Sequence, residues 1–402
     1  MRASRAFQAR SSGLIIQIPV VRALVAHIIM GFSTEKEDAM QAGNLEYILD
    51  GDGHVIEDLE GIAQFLPPKF RDNPARARNA TIFPPLDHLH AGHFVETPGR
   101  RDRLSPVGPE EWGVFLDEVG IDATVLYPTA GLSYGKVVNR DWAIGAAQAY
   151  NDWLHATYMQ ANPRFNGVGL IPMQEPEAAV VELRRVVEEL GMVGAMLPSF
   201  GLPDHLGSKI YWPVYEEADR LGCALAVHGG AHSGIGLDHM NVYAPVHALG
   251  HPIGQMIALG GMIFNGVLDR YPNMRVGFLE GGIGWFITCI ERFDRSHDTH
   301  LEYQLRDDDM PGPKIGDKVS EYIQRHIDEG RLFIGCEGGE LALDYAVSVV
   351  GNKPFFYSSD FPHEVTKDSC QEEIQEVLDD EQLTTQDKEA ILHGNATRFY
   401  NL

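Results

Sequence analysis

The 402-residue sequence predicts a closed barrel of eight parallel strands alternating with helices, the (β/α)8 architecture, on three observations. Short β-branched runs recur eight times after residue 47, longer amphipathic segments separate them, and several of the runs finish in Asp, Glu or His. Parallel strands covered on both faces read as continuous apolar runs. In such barrels the functional groups gather at the carboxyl ends of the strands. The predicted strands are 47–52, 122–127, 167–172, 193–197, 223–228, 275–280, 332–336 and 355–360. Between them lie helical patterns such as 177–190, with Ala178, Val181, Leu183, Val186 and Leu190 at helical spacing, and 212–221, which stops before Gly222.

This barrel accounts for residues 47–402, and residues 1–46 stand apart as an N-terminal extension. Arg2, Arg5 and Arg10 precede the apolar run 14–21, and no acidic residue occurs before Glu35, the charge layout of a targeting segment. Arg22 and His27 interrupt that run, so a poorly ordered extension, or a start at Met30 or Met40, is also expected. The stretch 53–119, rich in Pro and Arg, is expected as an insertion after strand one that serves as a lid over the barrel mouth or as an oligomerisation arm.

Composition excludes some functions. Acidic side chains number 57 against 32 basic ones, a formal charge of −25, which disfavours nucleic acid and anionic membranes as partners. Nothing after the extension approaches the ~20 apolar residues of a membrane span. Cys223, Cys289, Cys336 and Cys370 form no CxxC pair, which suits a reducing, cytoplasmic setting with buried thiols. The expected partner is a small-molecule substrate, in a homo-oligomer or a hetero-oligomer with a paralogue.

Strand one ends in Asp50-Gly51-Asp52-Gly53-His54. In extended chain Asp52 and His54 point the same way, two metal-ligating groups side by side. The strands ending at His228 and Asp360 supply two more, so Asp52, His54, His228 and Asp360 are the expected ligands of one divalent ion. Glu280 closes strand six. A carboxylate there can bridge to a second ion or take a proton from water that the ion has acidified. His251 is read as the start of the helix carrying Met256, Leu259, Ile263 and Leu268, its ring reaching back as a further ligand or acid. Glu57 is expected to orient His54 or pair with an arginine, and His363 with Glu364 to touch substrate or water at the ion. The tract from Asp87 through His88 and His90 to His93 has a metal-tract composition but fits a substrate-bonding lid better. Tyr127, Pro128 and Thr129 end strand two beside the pocket, whereas Arg140 to Trp153 fits a helix on the barrel exterior.

These motifs resemble the amidohydrolase-related (amidohydrolase 2) family. The likeness rests on the strand-one Asp-x-Asp-x-His-x-x-Glu, the Leu279-Glu280-Gly281-Gly282-Ile283-Gly284-Trp285 segment, the Ser358-Ser359-Asp360-Phe361-Pro362-His363 strand end and the closing Gly394-Asn395-Ala396-Thr397-Arg398-Phe399-Tyr400. Its members include aminocarboxymuconate-semialdehyde decarboxylase and γ-resorcylate decarboxylase. The resemblance implies the metal-dependent barrel, with zinc or manganese on the four ligands named above. It also implies a departure, because Asp52 stands where those enzymes carry His or Glu, and Glu280 where the first carries a catalytic His.

The expected function is that of a metal-dependent hydrolase or nonoxidative decarboxylase acting on a small carboxylated or amide-like substrate. Glu280 and His251 are the catalytic candidates. Two alternatives remain at this point: a dinuclear iron or manganese oxygenase, with His251 and Glu280 holding a second ion, and an inactive partner subunit of an active paralogue.

Overall fold

In the computed structural model, the structure describes residues 47–73, 81–89, 107–300, 311–314, 316–363 and 365–402. The expectations for residues 1–46, His90, His93 and Glu364 lie outside them. Eight strands form one sheet in sequence order, each parallel to the next: β1 Leu49–Val55, β2 Ala123–Pro128, β3 Phe165–Leu170, β4 Gly194–Pro198, β5 Ala224–His228, β6 Arg275–Leu279, β7 Leu332–Cys336 and β8 Phe355–Tyr357. The predicted barrel is borne out. Strand side chains such as Leu126, Leu170, Leu197, Val227, Phe278, Ile334 and Phe355 are buried, each worth roughly 1.5–3 kcal/mol on removal from water.

The seam between β8 and β1 is joined just beyond the end of β8. There the Asp360 N–H donates to the Asp52 carbonyl (2.9 Å) and the His54 N–H to the Phe361 carbonyl (2.7 Å). Closing the barrel therefore brings three of the predicted ligands together. Helices cover the outside, among them Pro176–Glu188 and Trp212–Leu221. The second ends on Gly222 at φ 60°, whose N–H bonds the Ala218 carbonyl, a left-handed cap that glycine adopts without penalty.

Most strand boundaries shift by one to three residues from the sequence reading, and some of the shifts bear on the site. Strand one continues to Val55, and Pro109–Val119 is a regular helix packed against Lys367–Asp379. The insertion thus lies inside the predicted 53–119. Strands six and eight stop at Leu279 and Tyr357, because Glu280 (φ 52°) and Asp360 (φ 56°) are left-handed and cannot continue a strand. Among the described residues, Asn401 at a helix end is the one other non-glycine with positive φ. Such strain costs roughly 1–3 kcal/mol and tends to persist where function requires it. The four cysteines are free and buried, and no helix of the described residues is long and apolar enough to cross a membrane.

Candidate metal centre and active site

The mouth is built from the ends of β1, β5, β6 and β8. His54 and His228 are fully buried and Asp52 is nearly so, with His228 Nε2 3.2 Å and His54 Nε2 3.5 Å from Asp52 Oδ1. Asp360 Oδ1 lies 3.0 Å from His54 Nε2 on the other side. Asp52, His54 and His228 thus lie together, and Asp360 reaches the same His54 nitrogen.

Their protonation follows from what lies behind them. His54 Nδ1 donates to the Pro128 carbonyl (2.9 Å), and His228 Nδ1 donates to the Gly229 carbonyl (2.9 Å). A carbonyl can only accept, so both rings carry the proton on Nδ1 and present the Nε2 lone pair to carboxylate oxygens. Lone pair against carboxylate is repulsive without a cation between them. Burial also holds His54 below the ordinary imidazole range, which disfavours the imidazolium as that cation. His54 Nε2 is buried with no hydrogen-bond partner. The donor set of two imidazoles and two carboxylates fits a divalent ion.

Glu280 and His363 flank this group. Glu280 Oε2 stands 3.3 Å from His228 Nδ1 and 3.5 Å from His251 Nδ1, and Oε1 stands 3.9 Å from His363 Nδ1. His363 Nδ1 is 3.0 Å from Asp360 Oδ1 and its Nε2 2.9 Å from Thr129 Oγ1, with the ring 4.0 Å from that of His54. Burial alone would raise the Asp360 carboxyl, but His363 and His54 beside it hold it well below the usual range.

His251 does not start its helix. It lies inside Tyr243–Phe264, which tolerates Pro252 in its interior. Proline is common in the first turn of a helix, but this helix begins at Tyr243, well before Pro252. His251 Nδ1 is buried without a hydrogen-bond partner, and burial followed by His232 and His247 keeps the ring well below its ordinary pKa, hence neutral. His247, one turn earlier, shares a group with His251 and Glu280 whose ligand atoms lie within 4.8 Å of one another.

Among the described residues, Glu57 pairs with no arginine and makes no hydrogen bond to His54. Its carboxylate accepts the backbone N–H groups of Thr129 (3.2 Å), Ala130 (2.9 Å) and Gly131 (2.8 Å). It therefore fixes the loop beside Pro128, the carbonyl that sets the His54 tautomer. Tyr127 lies buried beneath both histidines, its ring 5.2 Å from His228, and reaches Tyr400, which in turn donates to the Gly51 carbonyl (2.6 Å).

Part of the insertion straps onto the mouth. Ser133 Oγ donates to the Pro84 carbonyl, Lys136 Nζ to those of Pro85 (2.7 Å) and Leu86 (3.2 Å), and the His232 N–H to Leu86 (3.2 Å). Asp87 is buried against His232 Nδ1 (3.0 Å), and His88 Nε2 meets the Met240 carbonyl (2.6 Å). The described part of the Asp87–His93 tract is therefore engaged with protein groups. Arg140–Leu154 is a helix as expected, its Asn151 clasping the Leu170 backbone.

Sequence reasoning passed over the role of Asp50 and overlooked His232, His247, Glu340 and the Ser358 side chain. The four-residue spacing of His247 and His251 on a helical pattern was a readable signal. Asp50, His232 and Ser358 gave none, since Asp50 and His232 depend on partners distant in the chain and Ser358 on the lack of one.

The family model described as Amidohydrolase matches residues 50–402. The chain is 30% identical to the 2-amino-3-carboxymuconate-6-semialdehyde decarboxylase of Dictyostelium discoideum, over 71% of this chain and 75% of that protein. It is 23% identical to the γ-resorcylate decarboxylase of Polaromonas, over 72% and 86%. The 5-carboxyvanillate decarboxylase of Sphingomonas paucimobilis shares the fold with a TM-score of 0.65 at 22% identity, covering 89% of this chain and 99% of that one. The enzyme of the same name from Novosphingobium aromaticivorans, solved with bound manganese, does so at 0.67 and 19%, covering 90% and 98%. With a family match over nearly all of the barrel, the chain belongs to the amidohydrolase family and is a metal-dependent hydrolase or carboxy-lyase.

Proposed function

We propose that this protein is a nonoxidative carboxy-lyase acting on a small unsaturated or aromatic carboxylic acid, with one divalent ion held by Asp52, His54, His228 and Asp360. The observation that carries the reading is the pair of Nε2 lone pairs, locked toward two carboxylates by the Pro128 and Gly229 carbonyls. Manganese in a neighbour of the same fold and the decarboxylase names of the relatives support it. When bound there, a divalent ion would supply positive charge to orient and polarise the substrate.

The rest falls to the chain. Breaking the carbon–carboxylate bond leaves its electron pair on the substrate carbon, and that carbon takes one proton as carbon dioxide departs. Glu280, in its protonated form, would deliver that proton and regain one from water after turnover; its left-handed backbone and the His228 and His251 Nδ1 atoms beside it support the role. The segment 84–87 is tied by hydrogen bonds to Lys136 and to His232 beyond β5. The test is incubation of the manganese-loaded protein with benzoic and dienoic acids in D2O. Carbon dioxide release with one deuterium at the vacated carbon is expected. Hydrolysis of amides or esters without decarboxylation of any acid would overturn the reading in favour of a hydrolase.

A further inference from the structure

Beside the metal ligands, a narrow cleft of about 10 Å³ opens between the ends of β6, β7 and β8. Asp52, Glu280, Glu337, Glu340, Ser358 and Asp360 line it, with no Lys, Arg or His among its described walls. That volume is about one water-sized probe, so it accepts a single heavy atom and its hydrogens. Ser358 Oγ is buried there with no hydrogen-bond partner. Gly335 makes its position possible, since a Cβ at that residue would come within 2.8 Å of Ser358 Oγ.

The walls are nearly all acceptors. Glu340 is held in place by the N–H groups of Ile283 (2.5 Å) and Glu337 (3.0 Å), each using one oxygen and leaving further lone pairs. The Cys336 thiol faces the Phe356 carbonyl and offers the cleft nothing. A second carboxylate is excluded twice, by size and by the like charge of Glu337 and Glu340, which stand outside the proposed ligand set. A hydroxyl or amino group fits both limits, because it presents one heavy atom with one or two protons. The crowding shows in Glu340, whose carboxyl is pushed up to about 7 by burial and by Glu337; an incoming donor relieves it.

We infer that this cleft is a specificity subsite for a hydroxyl or amino substituent of the substrate, read by Ser358 and Glu340. The inference rests on the carboxy-lyase reading, since the substrate carboxylate must occupy the metal for the substituent to reach the cleft. Binding to the manganese-loaded full chain tests it, using benzoate and 2,4-hexadienoate as parents, the three hydroxybenzoates, the three aminobenzoates and the three benzenedicarboxylates.

At least one hydroxyl or amino isomer is expected to bind 10-fold or more tightly than benzoate. In Ser358→Ala and Glu340→Gln, each checked for unchanged manganese content, that gain should fall below 3-fold while benzoate affinity moves less than 2-fold. A gain that survives both variants would locate the substituent on the metal instead. Equal binding by all substituted acids, or the strongest gain from a dicarboxylate, overturns the subsite but leaves the carboxy-lyase reading intact. If neither parent nor any derivative binds, that reading falls, and the subsite with it.

Discussion

Replacing Asp50 tests whether one buried carboxylate assembles the barrel mouth. Its Oδ1 accepts the N–H groups of Asp52 (3.2 Å) and Ser359 (2.8 Å), and its Oδ2 accepts the hydroxyls of Thr124 (2.6 Å) and Ser359 (2.9 Å). It thus joins β1, β2 and the segment after β8 directly behind Asp52 and Asp360. Burial pushes its carboxyl up to about 6 in spite of those four bonds. In Asp50→Ala the two fixed N–H groups lose their acceptor, at roughly 1–3 kcal/mol each, so a loss of about 2–6 kcal/mol is expected. Asp50→Asn should cost only about 1 kcal/mol, because an amide oxygen can keep both N–H groups while its NH2 donates to two hydroxyls that rotate to accept. Reversible urea unfolding followed by tryptophan fluorescence measures both variants. Equal damage from Asn and Ala would show that charge, and not the unmet N–H groups, is what matters. A cost below about 1 kcal/mol for Ala would refute the strut altogether.

His228→Ala should lose bound manganese by elemental analysis, at least 10-fold in affinity, and retention of a full equivalent would remove His228 from the ligand set. Glu280→Gln should keep the metal and lower decarboxylation by roughly 10²-fold, whereas unchanged turnover would strip Glu280 of its proton-transfer role. Glu340 has its folded pKa raised from 4.5 to about 7, so between those values the folded chain holds more protons than the unfolded one and stability declines as pH rises. Glu340→Gln should flatten that decline between about pH 5 and 7 in unfolding experiments, and an unaltered slope would refute the assignment. Glu57→Ala frees three backbone N–H groups behind the His54 tautomer. It should weaken manganese binding although Glu57 is not a ligand; metal affinity identical to the parent chain would sink that link.

The sequence by itself determined the barrel and the strand-end residues Asp52, His54 and His228 that lie together, with Asp360 beside His54. Both are written locally: β-branched runs of strand length, a two-residue spacing that turns Asp52 and His54 to one side, and chain order that places every carboxyl end at one mouth. It did not determine where β6 and β8 stop, because the left-handed turns at Glu280 and Asp360 are imposed by packing and carry no glycine signature. Nor did it reveal what Glu57 holds, since a loop acid reads the same whether solvated or clasping three N–H groups of the turn after β2. The His54 and His228 tautomers depend on carbonyls of Pro128 and Gly229, and every residue has a carbonyl, so no side-chain pattern announces which one will matter. The contacts of Asp50 with Thr124 and Ser359 and of Asp87 with His232, and the lone hydroxyl of Ser358, arise only where distant parts of the chain pack together. Those were decided by the tertiary structure, because a buried polar group acquires its role from the partners that surround it.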